Sequence, residues 1–299
     1  MAGLALVAAV AGGAGAVPEP PRAEVALPLP YAGPLGGWSG IDVSPDGARF
    51  WAVTDAGRRT SGRLLREGGV LTGIDAPPPR RLPGLHGRAE IGEDDDSEGI
   101  DVDAGSGEVW VSFEGVARLR RYAGPDLAAH RLPDIPPGFR PAGNAGFEAL
   151  ARDRQGRAHT LPERPEGGYG PVTVFPLYRF DPATGEWDIA ARLTHDKHWL
   201  AVGADFGPDG AFYLLERRFS GLGFASRIRR FELAAGSGLI DGTTVYRSPT
   251  GRHGNLEGIG LWRDAAGALR AVMVADDNHK AYQRSQIVEV TLAPGPAGQ

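Results

Sequence analysis

The stretch "EGIDVDAGSGEVWVSFE", Glu98 to Glu114, has the form of a β-hairpin. A short apolar run leads to a glycine-bearing turn at Gly107, and a second apolar run ends on an acid. Glycine accepts the positive φ that tight hairpin turns need. Four other stretches follow the same grammar. They are "SGIDVSPDGARFWAVTD" from Ser39, "EALARDRQGRAHTLPE" from Glu148, "VGADFGPDGAFYLLE" from Val202 and "EGIGLWRDAAGALRAVMVADD" from Glu257. Their turn glycines are Gly47, Gly156, Gly210 and Gly267. The starts are spaced by 59, 50, 54 and 55 residues. Several strands in a repeat of roughly 40–50 residues mark the blade of a β-propeller.

Each hairpin is followed by a further strand pattern, such as "GRLLREGG", "ARLRRYAG", "PLYRFDPATGEWDIAARL", "SRIRRFEL" and "SQIVEVTL". These alternate apolar and charged residues, as half-exposed outer strands do. Their arginines read as solvated faces. The expectation is therefore an all-β, five-bladed propeller, with room for a sixth, degenerate blade in 60–95 or 115–145. The early run "AEVALPLP", 23 to 30, is left over and can close the ring by pairing with the last blade.

Composition agrees with that class. The 299 residues include 45 glycines and 25 prolines, which suits many turns, while 41% hydrophobic content argues against disorder. A net charge of -5 gives no basic footprint for nucleic acid. Zero cysteines exclude disulfides, thiolate catalysis and zinc–thiolate sites. The opening "MAGLALVAAVAGGAGAVPEPP" combines an apolar run with an A-x-A-like site at Ala14 to Ala16, although a positive n-region is missing. Residues 1–16 read as a signal peptide, 17–36 as an N-terminal segment with the closing strand, and 37–299 as the propeller. The expected location is periplasmic or secreted, with no membrane span after processing and a monomeric state.

The repeat gives the acids a geometry. The start of a hairpin's first strand and the end of its second lie at the same open end, opposite the glycine turn. In a propeller the first strand of each blade lines the central channel. Glu98, Glu148 and Glu257 therefore converge at one mouth, with Asp55, Glu114, Glu163, Glu216 and Asp276/Asp277 one layer out. Asn144, Asn255 and Asn278 add carbonyl oxygens nearby. Ser39 and Val202 replace the inner acid in two units. Hard oxygen ligands without cysteine suit Ca²⁺ or another divalent cation. Arg164 and Arg217 follow ring acids, and Lys280 follows "DDNH"; all three can serve as counter-charges or as contacts for an anionic small-molecule substrate. Asp94 to Asp96 read as a solvated loop run, at best an outer source of ligands. His195 in "THDKHW" offers a general base near the same mouth or simply a surface loop. No nucleophile elbow, Walker loop or dinucleotide fingerprint is present.

The pieces "GGWSGIDVSPDGARFWAVTDAG", "DSEGIDV" with "VWVSFEG", "NAGFEALA" with "TLPERP", "FYLLERRF", and "NLEGIGL" with "VMVADDN" resemble, in order, the phytase-like family of exported bacterial proteins. That family is known by the label "esterase-like activity of phytase". The resemblance covers nearly the whole chain from Gly36. It implies a β-propeller, a bound divalent metal and hydrolysis of phosphate or other esters. Glu98, Glu148 and Glu257 would then hold the ion, and Arg217, with Arg164, would steady the substrate's charge. The missing inner acids and the few lysines depart from the dense acidic channel of propeller phytases and argue against phytate. Metal-dependent lactonase propellers, which hold one ion with a few acids and asparagines, are one alternative. A non-catalytic periplasmic binding or scaffold propeller is the other.

Overall fold

A computed structural model describes residues 24–85, 95–124, 127–133, 146–164, 174–196, 198–233, 238–278, 280 and 283–293. The leader-like residues 1–16, Asp94, Asn144 and Lys197 lie outside the described residues.

The chain enters as β1 (Glu24–Pro28), followed by a single 3₁₀ turn over Gly33–Leu35. Blade one is β2 (Trp38–Val43), β3 (Arg49–Thr54), β4 (Arg58–Glu67) and β5 (Val70–Asp75), with the short β6 (Arg80–Arg81) paired to β4. Blade two is β7 (Ser97–Val102), β8 (Val109–Phe113), β9 (Arg118–Ala123) and β10 (Ala128–Arg131). Blade three is β11 (Phe147–Arg152), β12 (Ala158–Pro162), β13 (Val174–Asp181) and β14 (Glu186–Thr194). Blade four runs through β15 (Leu200–Phe206), β16 (Phe212–Phe219) and β17 (Phe224–Phe231). The chain then adds β18 (Leu239–Ile240) in parallel to β14, and returns as β19 (Thr243–Arg247) to finish blade four. Blade five is β20 (Asn255–Arg263), β21 (Leu269–Asp276), β22 (Gln286–Thr291) and, outermost, β1.

The molecule is thus an all-β propeller of five blades, closed by the N-terminal strand. Among the described residues, the segments that left room for a sixth blade carry the outer strands of blades one and two. Closure matters physically, because β1 covers the edge of β22 that would otherwise expose unpaired backbone groups. The five first strands β2, β7, β11, β15 and β20 neighbour one another in a ring around the channel.

Two features of the repeat make that ring. Large apolar residues such as Trp38, Trp110, Phe147 and Phe212 are buried between blades. The second feature is the glycine after the inner position in four blades (Gly40, Gly99, Gly203 and Gly258, with Ala149 in blade three), where the next blade's backbone passes closely. A Cβ at Gly203 would sit 2.5 Å from the Glu257 carbonyl oxygen, and one at Gly258 only 2.6 Å from the Ile41 nitrogen. No side chain fits there. All five inner strands also slip register at one repeat position, at Ser39, Glu98, Glu148, Val202 and Glu257. A bulge bends the strand and re-aims the side chain it carries. Each inner glutamate therefore sits on a bulge at the channel mouth.

The third strands correct one expectation. Arg227 and Arg229 on β17 are buried, not solvated, and both hold Glu216.

Candidate metal centre at the channel mouth

The mouth carries one continuous network of acids with a cation at one side. Glu98 and Glu148 are buried at the starts of β7 and β11. Glu114 follows β8, and its backbone N–H donates to the Asp96 carbonyl, so the chain before β7 and the chain after β8 meet there. Oxygen atoms of Asp96, Glu98 and Glu114 lie within 4.8 Å of one another, and so do those of Glu114, Glu148 and Glu163. Glu114 belongs to both groups. Two oxygens bound to one Ca²⁺ at 2.3–2.6 Å can be no more than about 5 Å apart, so both groups are compact enough to share an ion.

These acids are hard to ionise together. Burial pushes Glu98 well above the usual carboxylate range, and Glu148, Glu257, Asp96 and Glu114 add repulsion. Burial likewise raises Glu148, with Glu163 and Glu114 adding to it while Arg217 opposes. Glu114 is pushed up to about 7 by burial, then by Asp96 and Glu163. Asp96 is raised by burial while sharing a hydrogen bond with Glu98. A carboxyl–carboxyl hydrogen bond needs a proton. The network therefore holds protons or a cation in their place.

On the other side stands Arg217, from β16. Its Nη2 donates to Glu163 Oε1 at 3.0 Å, and its Nη1 donates to Asn255 Oδ1 at 2.6 Å and to Glu257 Oε1. Burial works against the guanidinium's charge, but Glu257, Glu148 and Glu163 offset it, and the group is held more basic than usual. Asn255 Nδ2 also donates to Glu257 Oε1 at 2.6 Å. Burial still raises Glu257 to about 8 although Arg217 is beside it, with Asp276 and Asp55 contributing.

Among the described residues, the structure joins Glu98, Glu148, Glu114, Glu163, Glu257, Arg217 and Asn255 in this network. Asp55 and Asp276 are near enough to Glu257 to raise it. Others go elsewhere. Glu216 is fully buried, with Arg227 Nε and Arg229 Nε donating to its Oε2 at 2.7 and 2.6 Å. Its position in the repeat matches the outer acids, but its strand neighbour across β16–β17 is Arg227, so it forms a clamp inside blade four. Asp277 Oδ2 accepts from Ser285 Oγ at 2.9 Å and from the Gly33 amide at 3.3 Å, tying the N-terminal segment to blade five. Arg164 is exposed and, among the described residues, pairs at the edge of the network with Glu163 at 3.3 Å. Lys280 is exposed on the rim. Asn278 Nδ2 donates to Gln283. His195 Nε2 lies 3.0 Å from the Trp199 carbonyl oxygen, and burial lowers its pKa, which suits a structural donor.

Sequence reasoning missed two things. From the sequence Asp96 reads as part of a solvated run, yet it is half-buried against Glu98 and Glu114. Its position directly before the inner strand was the available signal. The second is a lower belt. Asp42, Asp101 and Asp205 occupy one repeat position, three residues beyond the mouth position. Each accepts a backbone N–H from the next blade. Asp42 takes Val102 at 2.6 Å, Asp101 takes Arg152 at 2.7 Å and Asp205 takes Leu261 at 2.6 Å. Burial pushes Asp42 up to about 8, with Asp101 adding repulsion, and raises Asp205 well above its ordinary value. Arg152 Nε pairs with Asp101 at 2.6 Å.

A family model described as "Esterase-like activity of phytase" (Phytase-like) matches residues 33–279. Comparison with curated proteins returns no significant match. Among solved structures, a thermostable family-43 glycoside hydrolase is similar at a TM-score of 0.52 and 10% identity, covering 91% of this chain and 97% of that one. A PQQ-bound aldose sugar dehydrogenase from Streptomyces coelicolor aligns at a TM-score of 0.46 and 14% identity, over 91% of this chain and 99% of that one.

Proposed function

Because the chain belongs to the phytase-like family, we propose that it is a metal-dependent hydrolase of carboxylic or phosphoric esters. Its active site is the channel mouth. Asp96, Glu98, Glu114, Glu148 and Glu163 would hold a divalent cation of the Ca²⁺ type. The carrying observation is that two compact three-carboxylate groups share Glu114 and are partly buried, so their charge calls for a cation or protons. The donor set is entirely hard oxygen, which fits Ca²⁺ and not a thiophilic ion. When bound, such an ion polarises an ester oxygen and lowers the pKa of water.

The residues around it have complementary roles. Arg217 retains 18% side-chain exposure at the lip and can donate to an anionic oxygen while Glu163 and Glu257 fix its plane. Asn255 and Arg217 both occupy Glu257 Oε1, which leaves Oε2 for a proton. Burial raises Glu257 to about 8 against the pull of Arg217, so this carboxyl can take up a proton and give it to a leaving oxygen. The leader-like residues 1–16 support action outside the cytoplasm.

A binding propeller without catalysis is the rival reading. It is favoured by Arg217, which already neutralises part of the ring with no ion. The deciding experiment is a panel of nitrophenyl carboxylic and phosphoric esters, with Ca²⁺ and with chelator, on the wild type and Glu98→Gln. Chelator-sensitive turnover that is lost in Glu98→Gln is expected. Absence of Ca²⁺ binding by calorimetry together with no turnover would leave the binding propeller standing.

A further inference from the structure

On the rim between blades four and five lies a cleft of about 840 Å³, bordered by the β16–β17 hairpin, by residues 251–254 and by Lys280, Gln283 and Arg284. A neighbouring hollow of about 690 Å³ shares Arg252, His253 and Arg284 with it. Together they make a trough whose two sides differ in chemistry.

One side is apolar. Phe219 and Leu222 are 63% and 91% exposed, and the Phe219 and Phe224 rings meet at 5.1 Å. The hairpin tip turns on Gly221 and Gly223, both with positive φ, which lifts Leu222 into solvent. Clustered exposed apolar side chains bordering a cleft mark a binding surface more often than a bare fold does. The other side is polar, with the cations Lys280 and Arg284 on the larger cleft and the carboxylates of Glu24 and Asp277 on the adjoining hollow. Lys280 and Arg284 are exposed, and among the described residues no carboxylate is within ion-pair distance of either. Arg252, by contrast, is held by Glu24 at 2.7 Å. Two unneutralised cations therefore face an apolar wall, in a chain of net charge -5.

The trough opens beside the proposed catalytic mouth. Phe219 lies two residues after Arg217 on β16, and residues two apart share a strand face. Gly254 leads directly into Asn255. We propose that this cleft binds an amphiphilic anion. Its phosphate or carboxylate would face Lys280 and Arg284, and its acyl or aryl arm would lie on Phe219 and Leu222. This deepens the hydrolase reading and rests on it for one point only, that the amphiphile is a substrate: an ester bearing an anionic group and an apolar arm. Binding itself needs neither metal nor turnover.

The test uses the full chain in chelator. Decyl phosphate, decanol and inorganic phosphate are each made to displace the fluorophore anilinonaphthalene sulfonate. Decyl phosphate is expected to displace it at a concentration at least about tenfold below the other two, since each charged contact is worth roughly a decade. Lys280→Glu with Arg284→Glu should weaken decyl phosphate about tenfold or more and leave decanol unchanged. Leu222→Ser should weaken both. Because all three positions are exposed, these variants should fold, and an unchanged Tm checks that. Equal displacement by wild type and the charge-reversed variant would overturn the proposal. So would association with anionic phospholipid vesicles in the absence of any monomeric decyl phosphate binding, which would make the hairpin a membrane contact. Ca²⁺ calorimetry separates the two readings. Decyl phosphate binding without Ca²⁺ binding sinks the metal-hydrolase reading and keeps the cleft. Ca²⁺ binding without decyl phosphate binding does the reverse.

Discussion

The channel contains two belts of acids that differ in what they touch. The mouth belt of Glu98, Glu148 and Glu257 meets other carboxylates, Arg217 and Asn255. The lower belt of Asp42, Asp101 and Asp205 meets backbone amides of the next blade. Glu98 and Glu148 are buried while Glu257, Asp42, Asp101 and Asp205 are partly buried, and both belts include carboxyls raised by desolvation and by like charge. Burial and pKa therefore do not separate a site from a staple. The partners do. In the lower belt each aspartate accepts a backbone N–H from the next blade and so ties two blades together. A carboxyl that faces only side chains can exchange them for a cation.

Four measurements test this contrast. The largest effect is expected at the mouth. Glu98→Gln should lower Ca²⁺ affinity by roughly two orders of magnitude or more, because ligand charge sets calcium affinity. The same variant, free of divalent cation at pH 8, should melt no lower than the wild type, since a repelling charge is gone. A fall in its Tm under those conditions would put Glu98 with the staples.

Next in size is Asp42→Ala. It strips an acceptor from the amides of Val43 and Val102, and each orphaned group costs about 1–3 kcal/mol. A clear drop in Tm with unchanged Ca²⁺ affinity is expected. Loss of ion binding in a folded Asp42→Ala protein would merge the two belts into one site.

The third concerns pH. Glu257 at about 8, Glu114 at about 7 and Asp42 at about 8 all lie above their unfolded values. The folded state therefore binds more protons than the unfolded state over this range. The stability these groups contribute is full below about pH 4 and is lost as pH rises towards 8. Without divalent cation, Tm should fall between pH 5 and 8. Added Ca²⁺ should restore more of it at pH 8 than at pH 5. A calcium increment independent of pH would separate the ion from the mouth carboxyls.

The smallest effect belongs to Arg164→Ala. Its ion pair with Glu163 is half exposed, and exposed pairs are worth about 0–1 kcal/mol. Thermal stability should stay within the error of the melt. A shift of several degrees would extend the network to its outer edge.

Much of this was legible in the residues. The hairpin grammar carried five blades, since turn glycines and apolar runs are local signals. The same grammar brought Glu98, Glu148 and Glu257 to one mouth, because every repeat starts at the same end of its inner strand. It ranked the outer acids wrongly in one respect, by treating them as equivalent. Glu216 fits the pattern as well as Glu114 does. Only the packing of β17 puts two arginines on it, and "SRIRRFEL" reads as an ordinary outer strand until its neighbours are known. The lower belt was visible as the repeated aspartate in "SGIDV", "EGIDV" and "VGADF", but its role depends on which amide stands opposite in the next blade. The rim cleft had no sequence signal beyond Lys280, because its walls come from three segments well separated along the chain.

The five-fold repeat, the closing strand and the concentration of carboxyls at one end of the channel are written locally in the chain. Those follow from turn chemistry and alternation, which act over a few residues. The tertiary structure alone decided which carboxyls share a cation-sized space, which are neutralised by arginine and which staple the blades. Those outcomes depend on side chains brought within hydrogen-bond reach from different blades, and no local pattern encodes that distance.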